Sequence, residues 1–593
     1  MIFISLKSYK NFCLFGFYNN KTDKEIFFEI SESYNDLKPL LVFLKENQNE
    51  YIVGYNMENF NNFILNYILN NFNSLLEEKG VMIAFNIYSV AINTINQDPS
   101  LKYSNYFKFI DLMKYVGNSN DRISMNDLKY LFECEDMIDF PEGDNGFIDQ
   151  IDKKHVFYTI RNNIDILKKV YQNVIDKIHL RLDIGEECGI NLLNKYDESI
   201  GNNYLLGKYM KIYNVPKSSF LQLKTNPKND LDKSIIQENF LYQNESIKNF
   251  YTFIKKTNLN EEIKFPGISI ENKKFIIVGK QLRLEIKDTF IEDDLINIDL
   301  KYIYIEYLIR NKIYPEFLDE NFYLIIEEVY KNLLEAIRDN NSQEIERCDL
   351  LLNKLIDNMS VPSSFTECKH TQYKIYMNVL LIILKLIDEL ISLDADIILC
   401  DKNYITLKAD KNKKEIVEVI NNWHNKHYSN KKISIYEKLV FSDYNNYKIF
   451  LKAKDKKVVV NKGFFIEKRS LSNKYPLIII KAFNLFIDKK IDIKSYIEGN
   501  HDINDFIIYY KTNKSFDLIY NKSLVQRNIR FIYSPKGYNL YRINKEKQKE
   551  ELLEKSVQLL IKKDEVEIDK NKYTSIALSF KNLFIKTIQK TIW

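Results

Sequence analysis

The sequence predicts a multi-domain protein that combines α/β and α+β structure. The chain has 593 residues, and a chain of this length favours about three to five domains over one hydrophobic core. Hydrophobic residues make up 45% of it and charged residues 28%, which is typical of a folded globular protein and not of a disordered one. Strand-like and helix-like apolar patterns also alternate along its first part.

The composition narrows the possible functions. There are 15 glycines, well below the usual ~7% of residues, so few glycine-rich phosphate-binding loops are expected. The formal net charge is +4, so any contact with nucleic acid must come from a local basic face. Six cysteines without a C-x-x-C pair favour a reducing, cytoplasmic compartment and argue against structural zinc.

Two apolar segments could be confused with targeting or membrane signals. The N-terminal MIFISLKSYKNF is predicted to be a strand, because its apolar run is too short and too interrupted for a signal peptide. The helix predicted at 379–390 contains Lys385, Asp388 and Glu389, so it is expected to be buried in protein and not to span a membrane.

The first part of the chain carries the clearest α/β pattern. Strands are predicted at MIFISLKS, KNFCLFGFYN and EIFFEIS, then at YIVGYN, which leads into a helix, and in YFKFIDLMKYV. Apolar residues at helical spacing predict one amphipathic helix over 155–180. Residues 181–285 are predicted to be mixed, ending in a hairpin at GISIENKKFIIVG.

The second part begins with a strand that leads into a helix, LINIDLKYIYIEYLIR. Two helices split near Asn340 and Asn341 are predicted over 320–358, and a strand hairpin with a tight turn at 401–403 is predicted after the apolar helix. A helix over 411–427 and strands over 433–467 follow. The remainder is predicted to be helical, interrupted by IRFIYSPKGYNLYRI.

Short segments distributed over most of the chain then point to a family by their order. They are VGYN with Phe60, IDLMKY followed by ISMNDLKYL, YTIRNNID at 158–165, IDLKYIYIEYLIRNKIYPEFL at 298–318, LLLN at 350–353, the hairpin at 396–407, YEKLVFSDYNNYKI at 436–449, KGFF at 462–465, PLIIIKA at 476–482 and RFIYSPKGYNLYRI at 530–543. In this order and spacing the chain resembles bacteriophage-type family B DNA polymerases that carry a 3′–5′ exonuclease domain of the DEDD type.

The resemblance implies a domain order. It gives an RNase H-like exonuclease domain followed by a right-hand polymerase fold, whose palm has a ferredoxin-like sheet. The implied boundaries are 1–180 for the exonuclease-like domain, 181–285 for an intervening region, 286–319 and 371–470 for the palm, 320–370 for the fingers, and 471–593 for the thumb and C-terminal helices.

The resemblance also implies where an exonuclease site would lie. Such enzymes hold two metal ions with four carboxylates. The matching positions here are Ser5, Lys7, Asn61 and Asn163, none of which is acidic. Because hard divalent ions need anionic oxygen ligands, we expect this vestigial site to be inactive. Alternatively, these are ordinary surface residues of a nuclease-like fold that is used only for packing.

At the implied polymerase site, one of the two aspartates that bridge metals is replaced. Asp299 matches the first palm aspartate and Tyr304 matches the tyrosine under the incoming sugar. At the hairpin, Asp401 falls on a variable position and Asn403 on the catalytic aspartate. Asp299 could equally be a strand-end residue and Tyr304 a core aromatic residue.

The implied fingers helix keeps few of the family's motif residues, whereas the residues implied to contact the duplex keep more of them. The family's Lys-x3-Asn-x2-Tyr-Gly falls on Asp349, Asn353, Ile356 and Asp357, so only the asparagine is kept. Lost metal and phosphate contacts cost several kcal/mol, and each ~1.4 kcal/mol is tenfold in rate.

Among residues that would touch the duplex, the resemblance implies Lys462 and Gly463 near the primer end, and Arg530 in the thumb. The lysine-rich segment 452–462 adds basic side chains, although such runs are more often solvated faces. His424 and His427 have helical spacing that suits a metal, but without a third ligand nearby an exposed helix face is the simpler interpretation.

The predicted function is a catalytically inactive polymerase homologue that binds DNA without sequence preference, or that scaffolds an active polymerase or other replication proteins in phage or viral DNA replication. One alternative is a divergent active polymerase that uses Asp299 and Asp401; another is a pure protein-interaction module. No cofactor is expected, and Mg²⁺ would be needed only if polymerase activity survives.

Overall fold

The computed structural model describes most of the chain, and it shows a mixed α/β, multi-domain protein. The segments outside the described residues are 96–105, 118–122, 135–138, 142–145, 223–235, 237–238, 257–264, 287–288, 363, 410, 428–432, 453–456, 472–474, 489–490, 514, 548, 561–565 and 590–593. The chain divides into two units. The first unit comprises Met1–Asp183, Asn191–Asp197 and Glu467–Leu578, and the second comprises Ile184–Ile190, Glu198–Ile466 and Ser579–Trp593.

The strands and helices have the following bounds. The strands are β1 Ile2–Tyr9, β2 Phe12–Asn19, β3 Lys24–Ser31, β4 Tyr51–Gly54, β5 Lys108–Asp111, β6 Ile268–Ile270, β7 Lys273–Val278, β8 Gln281–Leu284, β9 Phe290–Asp299, β10 Asp396–Asp401, β11 Tyr404–Lys408, β12 Ile433–Asp443, β13 Asn446–Lys452, β14 Lys457–Lys462, β15 Ile508–Lys511, β16 Phe516–Tyr520, β17 Ser523–Val525, β18 Asn528–Asn544 and β19 Glu550–Leu559. The helices are α1 Leu37–Glu46, α2 Asn62–Asn70, α3 Phe72–Leu76, α4 Gly80–Ile95, α5 Met113–Val116, α6 Met125–Leu131, α7 Gln150–Cys188, α8 Asp197–Tyr213, α9 Lys217–Gln222, α10 Glu245–Lys256, α11 Ile303–Arg310, α12 Asn321–Asp339, α13 Ser342–Leu352, α14 Lys369–Ser392, α15 Lys413–His427, α16 Leu477–Ile487, α17 Ile493–Gly499, α18 Ile503–Phe506 and α19 Lys570–Gln589.

The first unit contains an N-terminal sheet with the strand order β3-β2-β1-β4-β5. β1 pairs antiparallel with β2 and parallel with β4, which in turn pairs parallel with β5. Both faces of this sheet are covered, since alternate residues of β1 belong to two separate hydrophobic clusters, one with α4 and the other with α7. Burial on both faces explains the nearly continuous apolar sequence of β1 and β2.

The C-terminal part of the first unit corrects one prediction. The segments on either side of IRFIYSPKGYNLYRI are predicted to be helical, but residues 508–559 form a sheet in which β18 pairs with β15, β16 and β19. Leucine, glutamate and lysine give β19 a high helix propensity, yet the strand completes the sheet through pairs such as Phe531 with Leu559. Long-range pairing therefore outweighs local preference.

The second unit is organised around a sheet with the order β10-β11-β9-β12-β13-β14. α14 has a long buried face, as its apolar run predicts, and α11 packs against it. The small sheet β6-β7-β8 also belongs to this unit, and β8 packs against β10 and α14.

Most of the predicted elements outside the C-terminal sheet agree with the structure. The helix pair split at Asn340–Asn341 corresponds to α12 and α13, the hairpin corresponds to β10 and β11, and the helix predicted over 155–180 lies inside α7. Within the described ranges, no helix combines the length and apolar character that crossing a bilayer requires.

Candidate functional site

The first candidate centre lies between β1 and α7 in the first unit. Ser5 pairs with Gly16 of β2, and a Cβ added at Gly16 would lie 2.4 Å from Ile160 Cγ2 of α7. This close approach of helix and sheet places Asn163 beside Ser5, and the Asn163 side-chain amide donates to Ser5 Oγ at 3.4 Å. Both residues are buried. The structure therefore brings together two residues that are 158 positions apart.

Lys7 and Asn61 complete the set of residues matched to the exonuclease site. The Lys7 ammonium lies 5.2 Å from the ring centre of Tyr9 and 5.1 Å from that of Phe140. Asn61 is buried, and its amide donates to the Tyr55 carbonyl at 3.4 Å. The four matched side chains are neutral or cationic, so they supply no anionic ligand to a divalent ion.

Asp111, at the end of β5, is a carboxylate that the sequence analysis did not single out. It is fully buried and accepts backbone N–H groups of Glu58 and Met113, each at 3.1 Å. Burial raises the pKa of Asp111, whereas these amides and Lys114 oppose the rise. Each Asp111 oxygen thus accepts one backbone N–H, and the carboxylate links the segments at 58 and 113.

The second candidate centre lies where β9 ends beside the tip of the β10–β11 hairpin. Tyr404 is the register partner of Asp299 on β9 and also of Asp401 on β10. The Leu300 N–H donates to the Asn403 carbonyl at 2.7 Å. The fold thus brings the predicted strand end and the predicted hairpin tip together.

Asp299 and Asp401 lie on the two outer strands of this centre, with β11 between them. Register partners in antiparallel strands share a sheet face, so both aspartates lie on the same face as Tyr404, which stands between them. Adjacent strands are about 4.8 Å apart, which puts the two aspartate backbones roughly 10 Å apart. The Asp299 side chain accepts the Lys301 N–H at 2.9 Å, as a turn residue does.

Asp401 is paired with a cation of the same chain. Arg283, on β8, places Nε 3.2 Å and Nη2 3.1 Å from Asp401 Oδ1. The guanidinium also lies 4.5 Å from the ring centre of Tyr444, whose hydroxyl donates to the carbonyls of Leu284 at 2.7 Å and Cys400 at 3.0 Å. The side chain of Asp401 is 13% exposed, so the arginine provides its main counter-charge.

Lysines pair in the same way with both aspartates of the implied fingers segment. Lys301 Nζ lies 2.7 Å from Asp349 Oδ2, and Tyr302 donates its hydroxyl to the same carboxylate. Lys354 Nζ lies 3.0 Å from Asp357 Oδ2. Asn353 ends α13, where its N–H donates to the Asp349 carbonyl at 2.9 Å.

Aromatic residues fill the space around Tyr304. Its ring centre lies 5.0 Å from that of Tyr376, and Tyr376 donates its hydroxyl to Asp357. Burial raises the pKa of both tyrosine hydroxyls. Ile356 is also buried. Tyr304 itself is half-buried, and Tyr376 is its ring partner.

Lys462 and Gly463 form a defined turn at the end of β14. Gly463 has φ +63°, and a Cβ there would lie 2.1 Å from Asn446 Oδ1 and 2.2 Å from the Asn445 carbonyl, so only glycine fits. Lys462 donates to the Tyr444 carbonyl at 2.8 Å. The residue is nevertheless exposed, and its ammonium retains further donors for an anion.

Arg530 does not lie on an exposed groove. It is 6% exposed, and its Nη1 donates to the Cys134 carbonyl at 2.5 Å within the first unit. The expected phosphate contact is corrected accordingly, because a buried guanidinium bonded to the backbone supports packing instead. Part of the lysine-rich segment, 453–456, lies outside the described residues.

The histidine pair on α15 does not lie on the exposed helix face that the sequence suggests. His424 is fully buried and packs against Trp423, with ring centres 5.5 Å apart. Burial, together with Lys426 and Arg310, lowers the pKa of His427 to about 4. In the described part of the chain, no group of three or more His, Cys, Asp or Glu side chains is arranged to hold a metal ion.

Four residues around the second centre were missed from sequence: Arg283, Lys301, Tyr376 and Tyr404. The only local signal was the position of Lys301, two residues after Asp299. Arg283 is 118 residues from Asp401, and no spacing rule connects residues that far apart.

Comparison with known proteins gives a distant likeness. No family model and no curated protein matches the chain. Among solved structures, it is similar to the family B DNA polymerase from the hyperthermophilic archaeon Pyrobaculum calidifontis, with a TM-score of 0.42 and 11% sequence identity, covering 98% of this chain and 77% of that chain. A likeness at this level assigns no activity to this chain.

Proposed function

We propose that this chain is a polymerase-like protein that has lost exonuclease and polymerase activity and binds DNA without sequence preference. We further propose that it acts as a subunit of a replication assembly of the phage type, beside an active polymerase or other replication proteins. The main observation behind the proposal is the ion pair between Arg283 and Asp401. In this pair a cation of the protein lies beside a carboxylate next to the candidate centre.

Two further observations support the loss of catalysis. The side chains matched to the exonuclease carboxylates offer no anionic oxygen, and Tyr404 stands between Asp299 and Asp401 on the sheet. The two Mg²⁺ ions of a polymerase lie about 4 Å apart and are bridged by carboxylates. The donor set here does not fit them, because Asn403 stands at the second matched position and Arg283 pairs with Asp401. We therefore derive no catalytic step through a metal.

The DNA-binding part of the proposal depends on Lys462. It is an exposed lysine held by a turn that only glycine at 463 permits, and a lysine in a fixed position is suited to a phosphate contact. Such contacts release counterions, so we expect affinity to fall with salt by about one unit of log–log slope per phosphate neutralised.

Activity assays test the first part. Purified full-length protein with Mg²⁺ or Mn²⁺ should neither extend a primer nor degrade single strands, and Asn403→Asp alone should not restore synthesis, because Arg283 still pairs with Asp401. Extension that Asp299→Ala abolishes would establish the divergent active polymerase instead.

An anisotropy titration with primer–template DNA at low salt tests the second part. Lys462→Glu should weaken binding about tenfold for every sequence, as the loss and reversal of one phosphate contact predicts. Lys414→Glu, an equal charge change at an exposed position of α15, is the matched control and should have a smaller effect. If no DNA binding is detected at micromolar protein, the DNA-binding part of the proposal is wrong and only the scaffold role remains.

A further inference from the structure

The segment RFIYSPKGYNLYRI forms most of β18, and its centre departs from regular strand pairing. Tyr533 and Tyr538 are both register partners of Val557 on β19, so residues 534–537 are extra residues of β18 relative to its neighbour. Irregularities of this kind redirect the side chains that follow them and occur often beside functional sites. The excursion at 534–537 therefore sets the position of Tyr538.

Gly537 fixes the end of this excursion. A Cβ at this position would lie 2.4 Å from the Val557 carbonyl oxygen and 2.5 Å from the carbonyl carbon, so only glycine lets β18 approach β19 this closely. The same carbonyl accepts the hydroxyl of Tyr520, on β16, at 3.0 Å. The rings of Tyr520 and Tyr538 are perpendicular, with their centres 5.7 Å apart. Tyr520 thus holds the Tyr538 ring in place.

Tyr538 is held in place and yet accessible. It is 52% exposed, so much of its ring is in contact with water. An aromatic side chain presents a flat apolar surface, and with only two torsions it loses little conformational entropy on binding. The ring therefore offers a surface on which another flat ring can stack.

Exposed lysines lie on both strands that flank Tyr538. On β16, Tyr520 is the register partner of Leu540, so the turn after β16, with the exposed Lys522, reaches the level of Tyr538. On β19, the exposed Lys555 lies between the partners of Leu540 and Tyr538. The exposed ring thus has a cationic side chain on either side of it in the sheet.

A third lysine lies in the excursion itself. Lys536 is exposed, and its Nζ lies 2.9 Å from Glu567 Oε2. Water screens an exposed ion pair, so the ammonium exchanges such a carboxylate for another anion at little cost. Sites for single-stranded nucleic acid combine cationic side chains, which contact phosphates, with aromatic rings on which bases stack. The surroundings of Tyr538 contain both kinds of side chain.

We propose that Tyr538 and the three lysines form a contact site for single-stranded DNA. An unpaired base would stack on the Tyr538 ring, and Lys522, Lys536 and Lys555 would contact the phosphates beside that base. The bases of a duplex are already stacked on one another, so an unpaired strand is the ligand that can use the ring. This inference rests on the proposed function for the choice of DNA, but its residues belong to the first unit, whereas Lys462 belongs to the second.

The test is an anisotropy titration of the full-length protein at low salt with two labelled strands of about 20 nucleotides. One is oligothymidine, and the other is an abasic strand that keeps the phosphates and lacks the bases. Tyr538→Ala should weaken binding of the thymidine strand about tenfold, or ~1.4 kcal/mol, and leave binding of the abasic strand unchanged. Tyr538→Phe keeps the ring and should bind as the natural protein does. Tyr34→Ala, which removes another exposed tyrosine of the first unit, is the matched control and should have no effect.

A lysine variant tests the phosphate contacts without removing the ring. Lys555→Glu should weaken binding of the thymidine and abasic strands alike, because the contact is to phosphate. Binding of both strands by Lys555→Glu as tight as by the natural protein would contradict the proposal, and this measurement does not depend on how well Tyr538→Ala folds.

A duplex titration separates this inference from the proposed function. Tyr538→Ala should bind duplex DNA as the natural protein does, whereas Lys462→Glu should lose duplex affinity. Equal binding of the thymidine and abasic strands by the natural protein, no binding of the thymidine strand at micromolar protein, or full binding by Tyr538→Ala would overturn the proposal. A uridine RNA strand bound about tenfold more tightly than the thymidine strand would overturn it in favour of RNA.

Discussion

In the first unit, the positions matched to exonuclease carboxylates hold uncharged, buried side chains or a lysine. In the second unit, by contrast, the carboxylates near the candidate centre remain, and a lysine or arginine of the same chain pairs with Asp349, Asp357 and Asp401. Neither arrangement needs a metal ion to balance negative charge, but the reason differs between the two units. The first has no negative charge to neutralise, and the second supplies its own counter-ion.

This difference has consequences for stability. A neutral cluster such as Ser5 with Asn163 is sensitive to any added charge, because a buried charge without a partner is costly. A paired carboxylate such as Asp401 is sensitive to the loss of its cation, but partial exposure to water reduces that cost. Substitutions in the two units should therefore differ in size and in their response to divalent ions.

The largest effect is expected when a charge is added to the first unit. Asn163→Asp should destabilise the protein by about 2 kcal/mol, because the new carboxylate is buried beside the neutral hydroxyl of Ser5. The measurement is hydrogen exchange of α7 at neutral pH. Asn173→Asp, at an exposed position of the same helix, is the matched control and should be nearly neutral.

Adding divalent ions to the hydrogen-exchange measurement tests whether the first unit still binds metal. Neither Mg²⁺ nor Mn²⁺ should restore the protection of α7 in Asn163→Asp, because Ser5 and Asn61 are neutral and Lys7 is cationic. Full recovery with either ion would indicate that the first unit still binds metal and would remove the distinction between the units.

A smaller effect is expected when a cation is removed from the second unit. Arg283→Ala should lower the free energy of unfolding by about 1 kcal/mol, since the arginine side chain is 34% exposed and water screens the pair. The measurement is denaturant unfolding followed by exchange of the β10–β11 hairpin. Arg338→Ala, which removes an exposed arginine of α12 paired only with its neighbour Asp339 in the described contacts, is the control.

The Arg283→Ala variant also tests how the second unit responds to divalent ions. With Arg283 removed, Asp401 has no arginine beside it, and Mn²⁺ should raise the melting temperature slightly in Arg283→Ala but not in the natural protein. An equal Mn²⁺ shift in both proteins would show that the arginine does not act as the counter-ion.

The smallest effect concerns the pH response of the second unit. The pKa of His427 is about 4 in the folded protein, against an ordinary value of 6.5, because of burial, Lys426 and Arg310. Between these values the unfolded state binds more protons, so stability falls as the pH falls from 6.5 towards 4. His427→Gln should remove on the order of 0.5 kcal/mol of that loss, allowing for the partial exposure of the ring. A stability difference between the two proteins that stays constant over this pH range would contradict the prediction.

The sequence determined the features that depend on local periodicity. Apolar spacing predicted α7, α12, α13 and the β10–β11 hairpin, since three- and four-residue or alternating patterns describe which face of a short segment is buried. It also determined which residue types stand at 5, 7, 61, 163 and 403, and so the absence of acidic side chains there.

Only the tertiary structure decided the pairings between distant segments. The pairing of β19 with β18 replaced a predicted helix by a strand, and Arg530 on β18 is buried where its side chain reaches the Cys134 carbonyl. Arg283 reaches Asp401 across 118 positions of sequence, and Tyr404 separates Asp299 from Asp401 through the register of three strands. These contacts depend on how distant strands pair in space, and local residue spacing contains no information about that.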